Sequence, residues 1–171
     1  MISSLEVKSF LTQKITIKKK FSNQEIKLYQ FFLRITEIYP ENVVFLPPYI
    51  FFFIKPEYYF TAKRFLQSIR TKLLNKKVMI INSESTLLRL LFSLFPDTYI
   101  HDIILNTNRD ETRIITIIFY FYEDRGIAVG RKGNYIKVIN QMFDNFINLE
   151  KNDMPLKIKC EIANFSLPSL I

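Results

Sequence analysis

RIITIIFYFYEDRGIAVGRKGNYIKVINQMFDNFI, residues 113–147, is the stretch from which the rest of the chain is read. It opens on an apolar, β-rich run, passes through Gly130-Arg131-Lys132-Gly133 and closes in an amphipathic pattern. The protein has only three glycines in 171 residues; two flank this basic dipeptide and the third, Gly126, lies just upstream. Glycine serves where a chain turns sharply or where a ligand must approach the backbone closely. In so glycine-poor a chain, the clustering asks for a backbone reason.

Outward from the loop, Arg113–Tyr122 is apolar on both faces, which predicts a central strand in a covered sheet. Glu123 and Asp124 cap a short helix at Arg125–Val129. Beyond the glycines, Ile136, Ile139, Phe143, Phe146 and Ile147 form one stripe, so Asn134–Leu149 is predicted as a long helix. Asn152–Pro155 turns the chain. Leu156–Ile162 (LKIKCEI) then alternates, with Leu156, Ile158, Cys160 and Ile162 inward and Lys157, Lys159 and Glu161 outward. Upstream, Ser83 or Ser85 can cap a helix at Thr86–Phe95 that stops at Pro96. Ile103-Ile104-Leu105 is a strand candidate, followed by the polar loop Asn106–Glu111. The order from Ser85 onward is therefore α-β-β-α-α-β.

The first half is less decided. A short strand fits Lys14–Lys18, and Lys18-Lys19-Lys20 is either a solvated patch or a source of phosphate contacts. Ile26–Tyr39 suits a helix through Leu28, Phe31, Phe32, Ile35 and Ile38, and a long strand through Phe31, Leu33 and Ile35. Asn42–Leu46 reads as a strand closed by Pro47-Pro48, Tyr49–Ile54 as an apolar run ended by Pro56, and Lys77–Ile81 as a strand. Tyr58–Leu74 again permits helix or strand. The balance is strand-rich, without a repeat or linker. It places one domain at residues 1–82 and a second at 83–171, an α+β architecture overall.

Hydrophobic residues make up 49% and charged residues 23%, enough for a packed core and too apolar for general disorder. The net charge of +8 favours an anionic partner, nucleic acid first, with a solvated basic surface as the plain alternative. Cys160 and His101 are the only residues of their kinds, which rules out an intrachain disulfide and a cysteine-rich zinc site. His101 reads as a partly buried polar residue near a strand start. No metal or other cofactor is expected. The acidic pairs Asp110-Glu111 and Glu123-Asp124 have no nucleophile or ligand set beside them, and GxxxxGK[ST] is absent, so no enzyme is expected. MISSLEVKSF lacks the apolar core of a secretory signal, and no apolar run nears the about 20 residues of a spanning helix. A soluble protein follows. Plentiful Ile, Lys, Asn, Phe and Tyr suggest AT-rich codons, hence a plastid setting, with the cytoplasm as the other compartment.

The GRKG loop carries the chemistry. Gly130 and Gly133 let a phosphate–sugar strand lie against the backbone, and the helix opening at Asn134 aims unpaired N–H groups at the same place. Arg131 and Lys132 add charge at the tip. Ile127, Val129 and Ile136 are expected to build a groove beside it for bases, with Asn134 and Lys137 completing the set of contacts.

VGRKGNYI resembles the GXXG signature of a KH domain, and the element order from Ser85 is that of a type II KH domain. More widely, the chain resembles the NusA family of transcription factors. LLRLLFSLFPDTYIHDIILN and RDETRIITIIF resemble the segments entering the first KH domain of bacterial NusA. DRGIAVGRKGNYIKVI resembles the KH core of that family and of its archaeal relatives. ENVVFLPPYIFFF and KKVMIINSES resemble strands of the OB-type RNA-binding barrel that precedes it, which would make Ile26–Tyr39 the barrel's first strand or two, in degenerate form. The resemblance implies single-stranded RNA as partner and a role in transcription elongation, termination or antitermination beside RNA polymerase. A ribosome-associated or ribosome-assembly protein is the alternative it leaves open. Neither the polymerase-binding domain nor the second KH domain of that family is expected in this chain.

Overall fold

The computed structural model describes residues 2–19, 21–151 and 154–164. Lys20 of the lysine run and Asn152 and Asp153 of the predicted turn lie outside them. Two helices near the N-terminus start from the same local code, Ser-x-x-Glu. In α1 (Ser4–Leu11), the Ser3 hydroxyl accepts from the Glu6 N–H and the Glu6 carboxylate accepts from the Ser3 N–H. In α2 (Asn23–Thr36), Ser22 and Glu25 do the same. That box settles the ambiguity at 26–39 in favour of helix, against the barrel strands the resemblance implied.

After a short strand β1 (Ile15–Ile17) and α2 come β2 (Asn42–Leu46) and β3 (Tyr49–Ile54), an antiparallel pair turning at Pro47-Pro48. Two helices follow, α3 (Pro56–Lys63), which has its proline at the first turn, and α4 (Leu66–Lys72). They return the chain to β4 (Lys77–Asn82), parallel to β3 with Ile50 opposite Val78. The second half repeats this plan. After α5 (Leu87–Leu94), β5 (Ile100–Thr107) runs antiparallel to β6 (Arg113–Phe119). Then α6 (Tyr122–Val129) and α7 (Asn134–Asn145) cross to β8 (Leu156–Ile162), parallel to β6 with Ile115 opposite Ile158. Both halves are α-β-β-α-α-β units with strand pairing of the same sense.

This corrects the picture of a strand-rich first half. Among the described residues the sheets hold two, three and three strands and no barrel closes, because helices occupy 23–36, 56–63 and 66–72. The N-terminal arm packs across the expected boundary at 82. β1 pairs antiparallel with β7 (Ile147–Leu149), Lys14 bridges to Thr86, and Phe10, Leu11 and Ile15 are buried in the second unit's core. The pairing has a second effect: the helix predicted to reach Leu149 ends at Asn145, since β1 offers the next residues a strand partner. His101 is exposed in β5 rather than partly buried.

Alternation along β3 divides its side chains between two cores. Ile50, Phe52 and Ile54 face Phe32, Ala62, Ile69, Val78 and Ile80; Tyr49, Phe51 and Phe53 face Leu87, Leu90, Leu91, Phe119, Tyr135 and Ile139. Every residue of β3 is buried. The core that backs the GRKG loop is therefore walled on one side by the first unit's sheet. No helix among the described residues is long and apolar enough to cross a membrane.

Candidate nucleic-acid interface

Helix α6 ends because Gly130 takes φ 77° and ψ 170°, its N–H still donating to Gly126 C=O at 2.9 Å. A single 3-10 turn, Arg131–Gly133, follows, with Lys132 (φ 55°) and Gly133 (φ 71°) both left-handed. At position 130 a Cβ would lie 2.7 Å from Tyr135 Cβ and 2.8 Å from Tyr135 N, so both conformation and space require glycine. At Gly133 a Cβ would meet nothing within 4 Å, so the flank of the loop is open to a ligand. Gly126 has a helical backbone and open space, so the backbone argument holds for two of the three glycines.

The loop is held from behind by Tyr135. Its ring centroid lies 5.2 Å from that of Tyr49, 5.9 Å from Phe95 and 6.3 Å from Phe51, and its hydroxyl donates to Leu94 C=O. Burial pushes its phenol far above the usual range. Arg131, Lys132 and Asn134 are exposed in front of this anchor. The first turn of α7 has no side-chain cap, so its N–H groups face the loop alongside two cations.

Beside the loop runs a groove of 750 Å³ between α6–α7 and β8. Val129, Ile136 and Lys137 line it; Ile127 does not, being 55% exposed on another face of α6. Sequence reasoning missed Arg125, Asn140, Lys157 and Lys159. The alternation of Leu156–Ile162 placed both lysines outward and was the signal available for them. Four cations in the lining, Arg125, Lys137, Lys157 and Lys159, face two carboxylates, Asp144 and Glu161. β8 is an edge strand, and side chains seal part of its free edge. Asn140 Nδ2 donates to Ile158 C=O at 3.0 Å while Asn140 Oδ1 accepts from Ile158 N–H at 2.9 Å; Arg125 Nε donates to Cys160 C=O at 3.2 Å. Burial pushes the Cys160 thiol up to about 12, with Arg125 pulling the other way, so the groove wall holds a neutral thiol.

The first unit has no glycine between α3 and α4, where Arg64-Phe65 makes the turn. Its edge strand is sealed in a similar way, Arg70 Nη2 donating to Val78 C=O at 3.2 Å. Among the described residues, no three His, Cys, Asp or Glu side chains come together as metal ligands.

These features define an α+β protein with a glycine-bracketed basic loop at the mouth of a cation-rich groove. No protein-family model and no curated protein matches the sequence. Among solved structures, the fold is similar to that described as "Crystal structure of APE1850". The TM-score is 0.57 at 18% identity, over 81% of this chain and 100% of that one. That share exceeds what either α-β-β-α-α-β unit could supply, so the likeness takes in both; at this identity it concerns the fold alone.

Proposed function

We propose that the protein binds single-stranded RNA through the GRKG loop and its groove, as a KH-type, NusA-like accessory factor of transcription. One observation carries the reading: Gly130 and Gly133 hold Arg131 and Lys132 exposed at the uncapped N-terminus of α7, beside a groove with more cations than carboxylates. Such a loop positions a sugar–phosphate backbone through N–H groups and charge, while the apolar residues Val129 and Ile136 take bases. The roles are binding and positioning, with no bond made or broken.

The test is Arg131→Asp with Lys132→Asp. Both side chains are exposed, so the fold is kept and binding to single-stranded RNA at fixed salt is abolished. Wild-type affinity in that double variant would refute the loop as the site. The larger partner is tested by copurification. Polymerase subunits support the transcription role, and a ribosomal sedimentation profile supports the ribosome-associated alternative.

A further inference from the structure

Lys18 and Lys19 have no part in the loop chemistry, yet the fold sets Lys18 in a pocket that shares a wall with the groove. Pairing of β1 with β7, together with a 2.7 Å bond from Lys18 N–H to Phe146 C=O, fixes Lys18 just beyond the C-terminal end of α7. There Lys18 lines a small pocket of 180 Å³ whose other walls include Asp144 and Leu156, both also in the wall of the groove. The groove wall begins at Val129 and Ile136, which flank the loop bearing Arg131 and Lys132, and reaches Asp144, about 15 Å along α7 from its first residue, where it shares a wall with the Lys18 pocket. Lys19, next in the chain, lines a cleft of 590 Å³ on the first unit together with Phe21, Tyr29, Tyr39 and Lys55. Phe21 and Tyr29 meet edge to face at 6.0 Å, and Tyr39 is 68% exposed. Glu41, the carboxylate in that lining, already accepts from the Ser83 hydroxyl.

Cations alternating with exposed rings are what a single strand needs, charge for its phosphates and flat faces for its bases. We infer that RNA held by the GRKG loop continues from the groove past Lys18 and Lys19 into the Phe21–Tyr29–Tyr39 cleft, which binds the bases that follow. The inference rests on the RNA-binding reading above. It makes the site longer than the about four nucleotides that a GXXG groove clamps.

The experiment titrates the full chain with fluorescein-labelled oligouridines of about four and about twelve nucleotides. Wild type binds the longer probe at least about tenfold tighter than the shorter. Lys18→Glu with Lys19→Glu, and separately Tyr39→Ala, leave the short probe unchanged and remove that advantage; the lysine pair also flattens the salt slope by about 1.4. The chain has no tryptophan, so Tyr39→Trp supplies a single reporter, quenched by the long probe and untouched by the short one. Equal wild-type affinity for both lengths, or variants that keep the advantage, overturns the extended track and leaves the loop reading intact. Failure of wild type to bind either probe overturns both, and short-probe binding that survives Arg131→Asp with Lys132→Asp overturns the loop reading.

Discussion

Gly130 and Gly133 stand three positions apart and both have positive φ, the first with ψ 170° and the second with ψ 16°, but a methyl group has different neighbours at each. At Gly130 it would run into the backbone of Tyr135, so Gly130→Ala combines an unfavourable φ with overpacking and costs about 2–4 kcal/mol. Gly133→Ala meets open space and costs only the conformational term, roughly 1–2 kcal/mol. Gly126→Ala, in a helix with room to spare, stabilises by about 0.5–1 kcal/mol. Urea denaturation of the three variants checks the order, and equal costs at 130 and 133 would remove the Tyr135 contact from the account. Burial sets a second residue-scale effect. Cys160 is raised from 9.0 to about 12, so the folded chain keeps a proton that the unfolded chain releases. Its contribution is present in full below pH 9.0, declines above that, and is lost as pH rises through about 12. Tyr135 acts in the same direction from its ordinary 10.0 upward. The urea midpoint therefore falls between neutral pH and pH ~10.5, and Cys160→Ala makes the fall shallower. A midpoint independent of pH over that range would contradict the buried, neutral thiol.

At the scale of elements, what could be read depended on how local the deciding signal was. The second unit was legible because glycines punctuate it, α7 has a clear apolar stripe, and β8 alternates strictly. Helix α2 was not settled by hydrophobic period, since its aromatic and β-branched residues fit both spacings; the code that decides it is Ser22 with Glu25. Glu25 does more than cap. It is buried, and its second oxygen accepts from Phe45 N–H at 3.4 Å, tying the start of α2 to β2. Ser22→Ala should cost about 1 kcal/mol, as a lost N-cap does. Glu25→Ala should cost more, about 2 kcal/mol, because it also strands the Phe45 donor. Thermal melts of the pair decide it, an equal loss arguing that the tie to β2 contributes nothing. β7 could not have been read locally at all. Ile147, Asn148 and Leu149 continue the apolar pattern of α7, and only Ile15–Ile17, far away in sequence, makes them a strand. The first unit's likeness to the second was hidden for a related reason: its α3–α4 turn has no glycine, so the shared plan lies in strand order and pairing rather than in residues.

For the whole molecule, the sharing of β3 and the reach of the N-terminal arm decide whether either half can stand alone. The core behind the GRKG loop takes Tyr49, Phe51, Phe53 and Ile81 from the first unit's sheet and Phe10, Leu11 and Ile15 from the arm. A chain cut to residues 83–171 keeps every element from α5 to β8 but uncovers the faces those side chains bury. Removing one large core side chain costs about 3–5 kcal/mol, and a domain's whole stability is about 5–15 kcal/mol. Losing several at once exceeds what the remaining unit supplies. The 83–171 fragment should therefore lack a cooperative unfolding transition and bind a dye for exposed apolar surface, whereas the full chain unfolds in a single step. Phe51→Ala and Phe52→Ala extend the argument, since the two side chains point into opposite cores of one strand. If the cores are coupled through β3, both variants lower the same transition by about 3–5 kcal/mol. Two separate transitions, with Phe51→Ala moving only one of them, would show instead that the units are thermodynamically independent. In that case the loop's rigidity would have to come from α5, α6 and α7 alone, and Tyr49→Ala, which removes a ring beside Tyr135, would leave RNA affinity unchanged.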